Sequence, residues 1–219
     1  RYLQGPGAID VLADHAAPYG AVPVLIGDAH VVAMLGERVT SAMAAAGLRP
    51  RLLVLDGEIT RVAIAGLGDQ VRDEEVSLVI GLGGGKSLDA AKGVAQLLGK
   101  PVFTVPTIAS NDSPTSASIA IYDEHHVMVA VDRMARNPDL VLVDTDLIAK
   151  APVRFLLAGI GDAISKKFEA DGCLAGTGVT PFGTRPLLTA IAIADRCYTT
   201  IRRHGAAAVA ACGRGEAGA

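Results

Sequence analysis

Tryptophan is absent from this sequence, and aromatic and cysteine residues are few. The 219 residues include only 4 tyrosines and 4 phenylalanines, so the apolar mass of a core has to come mainly from Ala, Val, Leu and Ile. The 3 cysteines are odd in number and lack C-x-x-C spacing, which argues against a disulfide framework. Reduced thiols in a cytoplasmic protein are the prediction that follows.

Long apolar segments and an excess of positive charge are also missing. No apolar run approaches the roughly 20 residues that a membrane helix needs, and no signal-peptide pattern is visible. The net charge is -3 at pH 7, so neither nucleic acid nor an anionic membrane surface is expected as a partner. The sequence begins at Arg1 without a methionine, and we expect that upstream residues were removed or not included.

The residues that are present are typical of a globular α/β protein, with 25 glycines, 50% hydrophobic and 20% charged residues. Short apolar segments alternate with segments whose apolar residues recur every three or four positions, which predicts strands alternating with amphipathic helices. The predicted strands cover residues 22–26, 51–55, 77–80, 101–105 and 140–143, and a hairpin covers 118–122 and 127–131. Strands that are apolar throughout predict a parallel, Rossmann-like sheet covered on both faces.

The segment Ser77–Lys92 is the strongest indication of a ligand site. An apolar run is followed by four glycines in five positions and then by helix-forming residues, which predicts a buried strand, a tight turn and a helix start. Glycines let the backbone approach a ligand closely, and the amides of a first helical turn favour an anion. We therefore expect a pyrophosphate at the amides of residues 84–87, with Lys86 adding a positive charge.

Two other phosphate-binding motifs do not fit the spacing. A P-loop would need a glycine at the position of Ile80. The dinucleotide fingerprint that could begin at Gly81 would need a third glycine where Lys86 stands. The alternative is a glycine-rich turn without a ligand, which is disfavoured because three consecutive glycines cost backbone entropy at each position.

Polar residues follow several predicted strands, at the edge where ligands bind to parallel sheets. Asp28 and Asp56 each close a strand and could accept the ribose hydroxyls of an adenosine. Each could also be a turn residue before a helix, and for Asp56 that alternative is the stronger one. The loop 107–116 is dense in hydroxyl side chains, which favours a ligand-lining role over helix capping alone. His125 and His126 are expected to be solvated residues of a hairpin turn.

Near Ala151 and Pro152 the predicted elements change from alternating strands and helices to helices only, which predicts a domain boundary. Residues 1–150 are predicted to form the α/β domain, and residues 151–219 the first part of a helical domain that is apparently incomplete. Asp162 by itself indicates only a charge near a helix start. The Ala- and Gly-rich segment 205–219 is expected to be a frayed end.

Four segments, in order along the sequence, resemble one known family. The sequence GGGKSLDAAK at residues 83–92 is similar to the nucleotide loop of the iron-containing alcohol dehydrogenase and dehydroquinate synthase superfamily. Residues 106–116 are similar to the corresponding run of glycerol dehydrogenases. NPDLVLVDT at residues 137–145 and AGIGDA at residues 158–163 fit the same family. The resemblance extends from about Tyr2 to Tyr198.

The resemblance implies an enzyme that binds NAD between an α/β domain and a helical domain, with a zinc ion beside the nicotinamide. The zinc would lower the pKa of a substrate hydroxyl so that a hydride can pass to NAD. Asp112 and Asp162 would be the catalytic and substrate-binding residues, with Asp162 as a metal ligand. The implied cofactor contacts are Asp28, Gly84, Gly85, Lys86, Ser87, Leu88, Asp89, Thr107, Ser110, Ser116, Ser118 and Tyr122.

The implied reaction is oxidation of a small polyol, most simply glycerol to dihydroxyacetone, by a cytoplasmic homo-oligomer. NAD is expected over NADP, because the carboxylate of Asp28 or Asp56 would repel a 2′-phosphate. Glycerol-1-phosphate dehydrogenases and dehydroquinate synthase-like enzymes share the glycine turn. Their anionic substrates favour basic residues near the substrate loop, and residues 106–118 contain no Lys or Arg.

One departure from the family pattern concerns the metal. The family's other two metal ligands are histidines of the helical domain, and none of the 5 histidines here lies in a matching motif. A catalytic zinc normally takes about three protein ligands, so Asp162 alone is not expected to hold it. We therefore expect the N-terminal part of a longer enzyme, inactive by itself, or alternatively an inactive NAD-binding protein.

Overall fold

The computed structural model describes residues 1–180 and 182–216. Its strands are β1 (Tyr2–Gly5), β2 (Pro23–Asp28), β3 (Arg51–Leu55), β4 (Leu78–Gly83), β5 (Val102–Pro106), β6 (Ser118–Tyr122), β7 (Met128–Arg133) and β8 (Leu140–Asp144). Its α-helices are α1 (Leu12–Ala16), α2 (Ala29–Ala45), α3 (Arg61–Asp69), α4 (Gly85–Leu98), α5 (Thr145–Lys150), α6 (Val153–Ala175) and α7 (Leu188–Gly213). Two short 3₁₀ helices, Ala8–Val11 and Ala17–Tyr19, flank α1.

Six strands form one parallel sheet in the order β1-β8-β5-β4-β2-β3. Helices separate most of the consecutive strands, as parallel connections require. The predicted Rossmann-like α/β fold is therefore confirmed. Strands β6 and β7 pair antiparallel as a separate two-stranded sheet, which is the predicted hairpin.

Apolar packing covers both faces of the parallel sheet. Leu25 and Ile80 lie in one buried cluster, together with residues of α1 and α2. Val24 and Val79 lie in a second cluster, together with residues of α3 and α4. Neighbouring residues of β2 and β4 enter different clusters because successive side chains of a strand point to opposite faces.

The chain divides into two compact units. The first, which we call the α/β unit, consists of Arg1–Ile108 and Ser113–Ile148. The second, the helical unit, consists of Ala109–Asp112 and the described residues from Ala149 onward. None of the described helices is long and apolar enough to cross a membrane.

The helical unit is built mainly from α6 and α7, which pack against each other. The rings of Phe168 and Tyr198 meet edge to face, with centroids 5.7 Å apart. Residues 205–213 continue α7, so the expectation of a frayed end was wrong for this segment, because alanine is the strongest helix former. Residues 217–219 of the same expectation lie outside the described residues.

Candidate functional site

The turn between β4 and α4 is too tight to admit side chains. Gly83 has a φ of +134°, and a Cβ at this position would lie 2.9 Å from the Ser87 Oγ. A Cβ on Gly84 would lie 2.8 Å from the Ile108 Cδ1. The turn therefore presents bare backbone at the carboxyl edge of the sheet, where a phosphate can approach the amides.

Helix α4 begins differently from its neighbours α2 and α3. The Asp28 Oδ1 accepts a hydrogen bond from the Val31 amide (2.9 Å) at the start of α2, and Thr60 caps α3 in the same way. The N-cap of α4 is Gly84, which has no side chain to do this. The first-turn amides of α4 and the positive end of its dipole thus favour an external acceptor. A dinucleotide pyrophosphate fits this cradle.

Ser87 connects the turn to the end of β2. Its hydroxyl oxygen accepts a hydrogen bond from the Asp28 amide (3.1 Å), and the residue is buried. Gly81 lets α4 lie close to β4, since a Cβ there would lie 2.9 Å from the Ala91 Cβ. The two predicted cofactor contacts Asp28 and Ser87 are therefore held together beside Gly83.

Asp89 and Lys92 of α4 form a buried polar clamp. The Lys92 side chain is fully buried, and its ammonium lies 2.7 Å from the Asp89 Oδ1. The same ammonium donates to the carbonyls of Ser113, Ser116 and Ser118, at 3.0, 3.1 and 2.6 Å. This clamp fixes the loop between β5 and β6 against α4.

Asp89 completes the clamp from the other side. Its Oδ1 accepts from the Ser113 hydroxyl (2.5 Å) and its Oδ2 from the Ala120 amide (2.9 Å). Sequence reasoning missed Lys92, because a lysine on a helix is usually solvated. The structure thus indicates that Asp89 stabilises the predicted cofactor loop through Ser113 and Ala120. Direct contact between Asp89 and a cofactor stays a prediction.

The remaining predicted contacts lie at strand ends and in the clamped loop. The Thr107 amide donates to the Gly83 carbonyl (3.1 Å), directly beside the turn. The Ser116 hydroxyl oxygen accepts from the Ser118 amide (3.0 Å), and Tyr122 closes β6. Leu88 is buried, and its amide donates to the Gly84 carbonyl (3.1 Å). Ser110 belongs to the helical unit.

Asp112 and Asp162, the predicted catalytic residues, both act on one lysine within the helical unit. The Asp162 Oδ1 lies 3.3 Å from the Lys166 Nζ. Burial by itself would lower the pKa of Lys166, but the negative charges of Asp162, Asp112 and Glu169 outweigh burial and raise this pKa. Sequence reasoning missed Lys166, because its spacing from Asp162 is also that of an ordinary surface pair.

The structure explains why the AGIGDA segment of α6 has a glycine at position 159. A Cβ on Gly159 would overlap the Ala109 carbonyl oxygen, so only glycine lets residues 109–112 lie directly on the helix. Asp162 follows three positions later, on the same side of α6. The glycine therefore brings the backbone that carries Asp112 against the face of α6 that carries Asp162.

The described residues do not form a metal centre. Residues 1–180 and 182–216 hold no group of three or more His, Cys, Asp or Glu side chains placed to bind one ion. The carboxylate of Asp162 is already paired with the ammonium of Lys166. These side chains alone therefore do not complete a zinc site, and Asp162 stays a predicted ligand.

A further set of charges lies beside the glycine turn, and sequence reasoning did not find it. Glu58 is paired with Lys86 of α4 and with His126 of the β6–β7 turn. His126 is therefore bound to another part of the fold and is more than a solvated turn residue. No local pattern could have indicated this, because the three residues are far apart in the sequence.

Comparison with known proteins places these features in a family. Residues 1–145 match the family model of the iron-containing alcohol dehydrogenases. The match includes the glycine turn, the clamped loop and all six strands of the parallel sheet.

Curated relatives are similar over most of this chain. A glycerol dehydrogenase of Thermotoga maritima is 41% identical over 206 residues, which cover 94% of this chain and 56% of that protein. A glycolaldehyde reductase of Halobacterium salinarum is 38% identical over 208 residues, which cover 95% of this chain and 57% of that protein. The chain therefore spans a little more than half the length of these relatives.

A solved structure has the same fold. The crystal structure of a probable glycerol dehydrogenase from Sinorhizobium meliloti superposes with a TM-score of 0.91 at 36% sequence identity, covering 100% of this chain and 60% of that chain. The family model covers well over half of the residues. The chain belongs to the iron-containing alcohol dehydrogenase family.

Proposed function

We propose that this chain carries the NAD-binding part of an oxidoreductase that acts on a small polyol. Residues 1–150 would be the NAD-binding domain, and residues 151–219 would be part of a helical domain for metal and substrate. The main support is the bare turn at Gly83 and Gly84, where a Cβ would crowd Ser87 or Ile108, so that only backbone is present at the start of α4. A pyrophosphate bound there gains from those amides and from the helix dipole.

The cofactor is proposed to be NAD in preference to NADP. The Asp28 carboxylate lies at the ligand edge of the sheet, and only its Oδ1 is used to cap α2. The ammonium of Lys86 is paired with Glu58, which reduces the positive charge available for an additional phosphate. A 2′-phosphate near Asp28 would meet a like charge, which disfavours NADP.

The substrate is proposed to be glycerol, with Asp112 binding its hydroxyls. Oxidation would transfer a hydride from a substrate carbon to NAD and release the hydroxyl proton, giving dihydroxyacetone. The absence of Lys and Arg from residues 106–118 supports a neutral substrate. The relative named glycolaldehyde reductase, at 38% identity, supports the reverse reaction on a small hydroxyaldehyde as a second candidate.

The metal and the molecular setting are further parts of the proposal. Zinc is proposed with Asp162 as one ligand, supported by the resemblance of the AGIGDA segment. A cytoplasmic location is supported by the three free cysteines. Assembly into a homo-oligomer is supported by exposed apolar side chains such as Leu188 and Ile193. Light scattering would measure the oligomeric state directly.

Calorimetric titration with NAD and NADP tests the cofactor assignment. We expect tighter binding of NAD than of NADP, and Asp28→Ala should weaken NAD binding and narrow the difference. Glu37→Ala, on the exposed side of α2, serves as the control and should leave both affinities unchanged. Equal affinity for the two cofactors in the unchanged chain would refute the role given to Asp28.

The metal assignment is tested by zinc analysis and by NADH formation from glycerol. The 219-residue chain should hold zinc weakly and form little NADH, because Asp162 supplies one ligand where about three are needed. Strong zinc binding with rapid turnover by this chain would show that the metal site lies elsewhere.

A further inference from the structure

Beside the glycine turn, a lysine and a histidine from two other parts of the α/β unit meet at one carboxylate. Glu58 lies in the loop between β3 and α3, Lys86 is the second residue of α4, and His126 lies in the β6–β7 turn. The Glu58 Oε1 accepts a hydrogen bond from the Lys86 ammonium and lies 2.7 Å from the His126 Nδ1. We call these three residues the Glu58 cluster.

The two oxygens of Glu58 have different surroundings. The Glu58 side chain is 7% exposed, whereas the side chains of Lys86 and His126 are 57% and 75% exposed. The Oε1 is bound by Lys86 and His126, but the Oε2 is buried and has no hydrogen-bond partner among the described residues. A buried carboxylate oxygen without a donor costs stability, so a donor from a ligand or from an ordered water molecule is expected at this atom.

Glu58 is ionised in this environment at neutral pH. Burial alone would raise the pKa of its carboxyl, but the hydrogen bonds and charges of Lys86 and His126 outweigh burial and lower it. An ionised carboxylate only accepts hydrogen bonds. The missing partner of Oε2 therefore carries an N–H or O–H group.

The turn that carries His126 has an uncommon backbone conformation. His126 has a φ of +62°, the only positive φ at a non-glycine position among residues 1–180 and 182–216. The Asp123 carboxylate stabilises the turn by accepting from the amides of His125 and Val127, both at 2.9 Å. Strain of this kind persists where the surrounding structure fixes it, and it is concentrated at ligand sites.

The chemistry of the partner follows from these contacts. A phosphate oxygen cannot satisfy Oε2, because phosphate and carboxylate are both negatively charged acceptors. A dinucleotide bound at Gly84 would carry ribose hydroxyl, amino and carboxamide donors, all of them uncharged, besides its pyrophosphate. Lys86 connects the pyrophosphate position with Glu58, since it lies in the first turn of α4 and is also bound to Glu58.

We propose that Glu58 is a further cofactor-binding residue, whose Oε2 accepts a hydrogen bond from an uncharged hydroxyl or amino donor of the dinucleotide. Its Oε1 holds Lys86 beside the first helical turn, where the ammonium faces the pyrophosphate. This inference rests on the proposed binding of NAD at the glycine turn. The amides of α4 would donate to the pyrophosphate there, and the Glu58 carboxylate would accept from another group of the same dinucleotide.

The test is the variant Glu58→Gln, measured for NAD affinity by calorimetry and for melting temperature without NAD. The amide oxygen of Gln can still accept from Lys86, which turns the amide nitrogen to the position of Oε2, where it cannot accept. We expect NAD affinity to fall at least about tenfold, as expected for a lost hydrogen bond to a charged group. The melting temperature should stay within about 4 °C, because the side chains of Lys86 and His126 are largely exposed.

Glu124→Gln is the matched control, since Glu124 lies in the same turn and pairs with exposed His125 at 3.7 Å. It should change neither quantity. NAD binding by Glu58→Gln within twofold of the unchanged chain would overturn the inference and leave the proposed function intact. A large loss of melting temperature together with affinity would also overturn it, because Glu58 would then act only through folding. Absence of NAD binding by the unchanged chain would instead overturn the proposed function.

Discussion

The α/β unit buries most of its large apolar side chains, whereas helices α6 and α7 of the helical unit bury none of theirs. Leu25, Ile80 and Phe103 are 0% exposed in the α/β unit, but Phe168 and Leu188 of the helical unit are 60% and 77% exposed. Burial of apolar surface is the dominant stabilising contribution to folding. The α/β unit therefore has a hydrophobic core of its own, and the helical unit gains much less stability from each apolar residue.

The two units also differ in how they use ion pairs. In the α/β unit, Lys92 and Asp89 are buried together, and both also bind Ser113 of the loop between β5 and β6. In the helical unit, Lys167 pairs with Asp171 at 2.7 Å and Asp195 at 2.6 Å, and both carboxylates are about half exposed. Charge pairs in solvent are screened and adaptable, whereas a buried pair fixes the geometry around it. The predicted cofactor loop is held in place by the buried pair of Asp89 and Lys92.

The largest difference in stability between the two units should appear when one carboxylate is removed from the buried ion pair and one from the exposed ion pair. Asp89→Ala leaves the Lys92 ammonium buried without its counter-charge and removes the acceptor of the Ser113 hydroxyl and the Ala120 amide. We expect a loss of about 3–5 kcal/mol in the free energy of unfolding. Urea unfolding followed by circular dichroism would measure it.

Asp171→Ala is the matched substitution in the helical unit. It should cost no more than about 1 kcal/mol, because the pair with Lys167 is exposed to solvent. The comparison would fail if the two variants lost the same stability, since Asp89 and Lys92 would then not act as a buried clamp.

A smaller effect should appear in hydrogen exchange of the unchanged chain. Amides of β4 and β5 are covered by apolar packing on both faces, whereas α6 contains no fully buried residue. We expect amides of α6 and α7 to exchange at least about tenfold faster than those of β4 and β5. Mass spectrometry of peptides from the two units would measure this, and equal protection would contradict a difference in local stability.

The smallest effect concerns pH at the edge of the α/β unit. The Lys86 and His126 partners outweigh burial and hold the pKa of Glu58 below its ordinary value of 4.5. The unfolded chain has the ordinary value, so the stabilisation is complete above about pH 4.5 and is lost as the pH falls through the lower, folded pKa. It should amount to less than about 1 kcal/mol, because the side chains of Lys86 and His126 are largely exposed.

Melting temperatures of the unchanged chain and of Glu58→Gln across this pH range would test the sign. The small advantage of the unchanged chain at neutral pH should shrink as Glu58 becomes protonated. An advantage that grows on acidification would mean that burial, and not the two cations, controls Glu58.

The sheet and the glycine turn could be predicted from the sequence because both are specified locally. Parallel strands buried on both faces give continuous apolar runs, and three glycines between such a run and a helix allow few other structures. Asp28 could be placed at the ligand edge for the same reason, since it directly follows a predicted strand.

The clamp and the Glu58 cluster could not be predicted, because their partners are distant in sequence. From the sequence alone, Lys92 looks like an ordinary helix residue, because its partners lie in the loop around Ser116. β1 is only an extended segment until it pairs with β8 in the register of Tyr2 with Val141. Composition misled at residues 205–213, where an Ala-rich segment was interpreted as a frayed end and forms the last part of α7.

The central claim is that NAD binds at the glycine turn, and calorimetric titration of the Gly84→Val variant tests it most directly. The added side chain would fill the space in front of Ile108, where a Cβ alone would already lie 2.8 Å from the Cδ1. The account predicts saturable NAD binding by the unchanged chain, no measurable binding by Gly84→Val, and unchanged binding by Gly213→Val, where a Cβ meets no atom within 4 Å. Equal NAD affinity in the two variants would contradict it.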